Sequence, residues 1–139
     1  MAVFKKFDHI GIVVADLKKA MKELSHFFDL ECEEQREIKD AGIRIAFYPL
    51  GAGKMELIEF QRPIDDVDSI VLEPRSGVQH VAWEVEDFDR TLKELSDKGL
   101  KLISGFPRNG AHGKVAFFYP TEELDLMIEI CEISDEQKG

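Results

Sequence analysis

Cysteine is scarce in this chain of 139 residues, which holds only Cys32 and Cys131. Two thiols make no disulfide framework, so the expectation is a pair of free thiols in a reducing compartment. Long apolar runs are missing too. None approaches the roughly 20 residues that a membrane helix needs, so no membrane partner is expected. No basic segment followed by an apolar stretch opens the chain, so export by a signal peptide is not expected and the cytoplasm is the default location. Basic residues are outnumbered, 18 Lys and Arg against 28 Asp and Glu, which leaves a formal net charge of -10. That balance argues against nucleic-acid binding, which relies on basic side chains neutralising phosphates. An anionic ligand would need a local basic patch against the overall field. The candidates are Arg75, Lys98, Lys101, Arg108 and Lys114.

What is present is an ordinary globular composition, 44% hydrophobic and 33% charged, enough for one compact domain or two small modules. Residues 7–14 (FDHIGIVV) read as a strand, and Asp16 suits a helix N-cap. Apolar residues at Leu17, Ala20, Met21, Leu24, Phe27 and Phe28 then follow helical spacing to about Asp29. An edge strand over 32–38, a turn at Asp40, Ala41 and Gly42, a strand over 43–50, a turn at 51–53 and a strand over 54–60 complete β-α-β-β-β. The connector, 61–78, contains two prolines and an acidic cluster, with a short helical turn near Val67 to Leu72.

The second half repeats the first. HVAWEV answers HIGIVV, Asp87 answers Asp16, and Lys93, Glu94, Leu95 and Ser96 answer Lys22, Glu23, Leu24 and Ser25, all at an offset of 71. The helix carries Phe88, Thr91, Leu92 and Leu95 on one face and stops at Gly99. Strands over 101–105, 114–120 and 125–132, with the loop 106–113 between the first two, complete a second β-α-β-β-β, before a polar tail over 133–139. Val115, Ala116 and Phe117 also echo Ile45, Ala46 and Phe47 at an offset of 70. Such coincidences indicate duplication. The expected fold is α+β: two paired βαβββ modules (module one 7–60, connector 61–78, module two 79–132) forming a curved mixed sheet around a metal-binding cleft, in a single domain over 1–139.

Each module opens on a histidine and closes on a carboxylate in an apolar strand: His9 with Glu56, 47 residues on, and His80 with Glu129, 49 residues on. A buried carboxylate needs a hydrogen-bond partner, a cation or water. Singly, each residue has a plainer reading: a hydrogen-bonded structural histidine, or a carboxylate turned to solvent. Glu129 resists it, because Met127, Ile128, Ile130 and Cys131 around it all prefer burial. Together the four occupy paired positions in two repeats and form a mixed nitrogen and oxygen donor set. Such a set suits a divalent Co, Mn, Ni, Zn or Fe ion without naming one. Four protein ligands leave two octahedral positions open, where an ion can act as a Lewis acid on a carbonyl.

With these residues in place, the chain resembles the vicinal oxygen chelate (glyoxalase/bleomycin-resistance/dioxygenase) superfamily, and within it the methylmalonyl-CoA epimerases. The resemblance runs from DHIGIVVADLKKA and KMELIE through VQHVAWEVEDFDRTLKELSDKGLKLI to PRNGAHGKVAFFYP and LMIEICE. The PRNGAHG loop, 107–113, is the part most specific to the epimerases. The resemblance implies metal ligation by His9, Glu56, His80 and Glu129. It also implies interconversion of the (R) and (S) forms of an acyl-CoA substrate through an enolate. Glu129 is then the first candidate base, and Glu56 the symmetric one for the opposite face. The loop Gly110 to Gly113, with His112 in it, would offer backbone amides to the anionic ligand, and Arg108 and Lys114 would hold phosphates or the carboxylate. The plainer reading of that loop is a hairpin turn. Relatives are often homodimers. The chain departs from the epimerase pattern at Gln79, where a second histidine is common, at Ala41, Gly42 and Ile43, where Gln-Gly-Val is frequent, and over 119–125, which carries three acids.

Three rival activities follow from the same superfamily. A glyoxalase I-type lactoylglutathione lyase uses a like ligand pattern, but the turn it commonly has before the last strand is missing. A small-molecule binding (resistance) protein commonly lacks a full ligand set. An extradiol dioxygenase prefers a set of two histidines and one carboxylate, to which Glu56 would add a fourth ligand.

Overall fold

The computed structural model describes residues 4–39, 42–61, 77–110 and 113–132. These residues form eight strands and two helices, the α+β class expected. The turn residues Asp40 and Ala41, the helical turn near 67–72, His112 and the tail over 133–139 lie outside the described residues. Among the described residues no helix is long and apolar enough to cross a membrane.

The chain divides into two compact units, His9–Gln79 and Met1–Asp8 together with His80–Gly139. In the first unit, β1 (Phe4–Val13) contributes its residues 9–13. It leads into α1 (Leu17–Phe28), whose N-cap Asp16 accepts a hydrogen bond from the Lys19 amide. No acid lies in the first turn of α1, but Glu59 reaches across from β4 and accepts from the Leu17 amide at 3.1 Å. One orphan donor of the helix start is thereby satisfied from the sheet. Asp29 ends the helix in the left-handed conformation, and its amide donates to the Ser25 carbonyl. Then follow β2 (Glu34–Ile38), β3 (Ile43–Leu50) and β4 (Gly53–Phe60). The strand order is β2-β3-β4-β1, antiparallel except for the β4/β1 pair, which is parallel.

The helix covers one face of this sheet. Leu17, Ala46, Tyr48 and Leu57 form the buried cluster, with Ile12, Ala20, Met21 and Leu24 packed against it. Side chains alternate along a strand, so His9, Gly11, Phe47 and Glu56 belong to the other face. The helical stripe read from the sequence extends one turn too far. Phe27 and Phe28 are 67% and 66% exposed, and Leu30 packs on the cluster in their place.

The second unit repeats the plan with β5 (Gly77–Val85), α2 (Phe88–Asp97), β7 (Lys114–Phe118) and β8 (Met127–Glu132). Asp87 caps α2 through the Arg90 amide. Val85, Phe88, Ala116, Phe118 and Ile130 make the buried cluster under the helix. The strand order is β5-β8-β7-β6, where β6 is only Arg108–Asn109. The strand expected over 101–105 does not form. Leu102 makes a single bridge to Phe118, and pairing resumes only at β6. Two residues explain this. Gly105 turns the chain with a φ of 98°, and Pro107 has no amide hydrogen to give to a ladder. β7 ends before Tyr119, whose amide turns to the Lys101 carbonyl, and β8 starts at Met127, after a turn in which Thr121 and Leu124 bond each other. Residues 4–8 belong to this unit. Phe7 meets the Trp83 ring edge at 6.5 Å, and Lys6 Nζ lies 3.9 Å from the Glu84 carboxylate.

Candidate metal centre

Register decides how a histidine on one strand meets a glutamate on the next. In the first unit His9 is level with Lys54 and Gly11 is level with Glu56. Side chains two apart on a strand share a face, so His9 meets Glu56 diagonally across Gly11. Because Gly11 has no side chain, the diagonal is open. The result is a buried pair, His9 Nδ1 to Glu56 Oε2 at 3.0 Å, with the residues 5% and 7% exposed. In the second unit His80 is level with Met127 and Ala82 is level with Glu129. Ala82, fully buried, takes the place of Gly11. Here His80 Nε2 lies 3.1 Å from Glu129 Oε1, and both residues are buried.

A phenylalanine completes each face. Phe47 is the antiparallel partner of Glu56, and Phe117 is the partner of Glu129. Phe117 meets the His80 ring edge-on, with centroids 4.9 Å apart and planes at 85°, and Phe106 packs on Phe117 at 5.0 Å. An aromatic edge against an imidazole fixes the ring plane as well as burying it. Neither the small residues nor the phenylalanines were singled out from the sequence. The signal for them was a small residue two after each histidine, and an Ala-Phe echo already visible at 46–47 and 116–117.

The chemistry of each pair fits a divalent cation. An imidazole nitrogen and a carboxylate oxygen converge at about 3 Å in a setting with little water. This is an arrangement in which a metal can replace the proton between them. The residues expected to hold substrate are placed differently. Arg108 is exposed in β6. The Gly110 amide donates to the Gly113 carbonyl at 2.7 Å, and the Lys114 amide donates to Glu132 Oε1 at 3.0 Å. The first of those amides is therefore engaged inside the hairpin and the second by β8. Gly113 sits at a φ of 140°, with Glu132 Cγ 3.1 Å from where a Cβ would be. The Lys114 ammonium lies 3.5 Å from Asp89 and over the Phe88 ring. The three acids of the 119–125 loop are exposed.

A family model for the glyoxalase/bleomycin resistance protein/dioxygenase superfamily matches residues 8–118, and the chain belongs to that superfamily. Among named relatives, the ethylmalonyl-CoA/methylmalonyl-CoA epimerase of Cereibacter sphaeroides is 29% identical, over 92% of this chain and 98% of its own. The Bacillus subtilis protein YqjC, which is uncharacterised, is 32% identical over 95% of both chains. Among solved structures, Streptomyces coelicolor methylmalonyl-CoA epimerase in complex with 2-nitronate-propionyl-CoA superposes with a TM-score of 0.80. That match covers 97% of this chain and 98% of that one, at 24% identity. At that identity the likeness defines the fold, which is the glyoxalase-like α+β fold.

Proposed function

We propose that the chain is a metal-dependent epimerase that interconverts (R)- and (S)-methylmalonyl-CoA. The observation that carries the proposal is the buried His/Glu pair, built twice at equivalent register, over Gly11 in one module and Ala82 in the other. Relatives named as epimerases of this class over nearly the whole chain support it. His9, Glu56, His80 and Glu129 hold one divalent ion. When bound, that ion supplies positive charge to offset the negative charge that develops on the thioester oxygen.

The remaining chemistry belongs to the chain. The carboxylate of Glu129 takes the α-proton from one face of the substrate, and the C–H electron pair moves onto the thioester to give an enolate. Glu56 returns a proton to the α-carbon on the opposite face, which inverts the centre. In the reverse direction the two carboxylates exchange roles. Proton transfer requires each carboxylate within hydrogen-bond reach of the α-carbon proton. Phe47 and Phe117, opposite Glu56 and Glu129, keep water from competing for it. Arg108 and the Lys114 ammonium are the charges offered to the acyl-CoA phosphates, with the hairpin 110–113 between them. The two free thiols, Cys32 and Cys131, accord with a cytoplasmic protein, and a homodimer is the expected assembly.

The test is proton NMR of racemic methylmalonyl-CoA in deuterated water, with protein stripped of metal and then reconstituted with cobalt. Loss of the α-proton signal only with metal, followed by conversion in a coupled assay with a stereospecific mutase, is the expected outcome. No exchange despite stoichiometric cobalt binding would overturn the substrate and leave methylglyoxal with glutathione as the next pair to try.

A further inference from the structure

Lys54 stands on the same face of the sheet as His9, Gly11 and Glu56, because it is level with His9 and two residues before Glu56. Its ammonium lies over the Phe47 ring, 5.7 Å from the centroid, and Phe47 is the cross-strand partner of Glu56. The lysine is half-buried, and among the described residues no carboxylate pairs with it. The other bases without such a partner among the described residues, Lys18, Lys19, Lys22, Lys98, Lys101 and Arg108, are exposed, whereas Lys54 is half-buried. Arg36, Arg44, Arg90, Lys93 and Lys114 each have a carboxylate within 4 Å. The repeat sharpens the contrast, since the position equivalent to Lys54 in the second module is Met127, level with His80. One module thus carries a cation where the other carries an apolar side chain. A ring face holds an ammonium in place without neutralising it, which leaves the charge available to an anion.

We propose that Lys54 is a specificity-determining residue that binds the free carboxylate of the substrate, so that the site selects 2-carboxyacyl thioesters over acyl thioesters without that group. The assignment rests on the proposed epimerase reading. A carboxylate brought up to Glu56 and Glu129 adds a negative charge beside two others, and a cation on the same face offsets it. The Phe47 ring under the ammonium sets the height at which it meets that carboxylate.

The experiment compares cobalt-loaded wild type, Lys54→Met and Lys54→Arg by calorimetry with methylmalonyl-CoA and with 2-methylpropanoyl-CoA, in which a methyl group replaces the carboxylate. Loss of one charge-assisted hydrogen bond weakens methylmalonyl-CoA binding about 10- to 100-fold in Lys54→Met, leaves 2-methylpropanoyl-CoA unchanged, and spares most of the discrimination in Lys54→Arg. Equal loss for both ligands, no loss for either, or no discrimination by the wild type would overturn the assignment. Proton exchange measured on the same samples separates the two claims. Exchange by the wild type with discrimination intact in Lys54→Met sinks the role of Lys54 alone. Discrimination that depends on Lys54 in a wild type that exchanges no α-proton sinks the epimerase reading alone.

Discussion

Removing both members of a buried pair costs less than the two single removals added together, and the His80/Glu129 pair allows this to be measured. His80 is 2% exposed, Glu129 is 4% exposed, and their polar atoms are 3.1 Å apart. Glu129→Leu in metal-free protein deprives the imidazole of this acceptor, a loss of about 1–3 kcal/mol. His80→Leu strips this partner from a buried carboxylate, where the loss reaches about 3–5 kcal/mol if the pair is ionised. The double variant leaves neither group behind. Its loss is therefore smaller than the sum of the single losses by about 0.5–3 kcal/mol, the range measured for residues in direct contact. For a chain of 139 residues, about 2.1 cal/mol/K per residue gives an unfolding entropy near 0.3 kcal/mol/K. The Glu129→Leu loss then lowers the melting temperature by about 3–10 °C. Thermal melts of the four proteins in chelator provide the assay, and the His9/Glu56 pair is an independent repeat. Single losses that add to the double loss within about 0.5 kcal/mol would refute the view that each pair is energetically one unit.

Two further outcomes follow from geometry already given. Ala82→Leu puts a side chain across the diagonal between His80 and Glu129. It costs about 1–3 kcal/mol of stability by overpacking, and it weakens cobalt binding, read by calorimetry, far more than that cost explains; unchanged cobalt affinity would show that the diagonal is not needed. Tyr48, 1% exposed, has its pKa raised from 10.0, first by burial and then by the Cys32 thiolate and the Glu31 carboxylate. The unfolded phenol therefore gives up its proton at lower pH than the folded one. Stability declines as pH climbs past the ordinary phenol value, and Tyr48→Phe removes that part of the decline. Melting between pH 9 and pH 11 checks the slope, and an absorbance titration in which Tyr48 ionises at or below its ordinary value would refute it.

The duplicated plan was legible because it rests on local rules. Asp16 and Asp87 cap helices at matching positions, and apolar alternation marks the strands under them. His9, Glu56, His80 and Glu129 were legible because polar residues inside apolar strands are conspicuous. What pairs them was not. The contact across Gly11 or Ala82 depends on the register of parallel neighbours 45 or 47 residues apart, and sequence spacing alone does not fix register. The strand read over 101–105 failed for a related reason. Its pattern suits a strand, but Gly105 and Pro107 prevent the next residues from continuing a ladder. Phe27 and Phe28 fit the helical period, yet both are exposed and Leu30 packs on the cluster instead. Lys54 was passed over because its significance lies in what it does not pair with.

The divided allegiance of β1 limits how this chain can be taken apart. Residues 4–8 belong with the second unit and residues 9–13 with the first, so a cut in the connector leaves one fragment with a strand the other requires. A fragment that starts near Gly77 lacks the Phe7 edge against Trp83 and the Lys6 charge beside Glu84, and must borrow them from outside. During synthesis the same arrangement obliges residues 4–8 to wait for partners more than 70 residues downstream. The peptide that precedes His9 is thus made with the first module and completes the second.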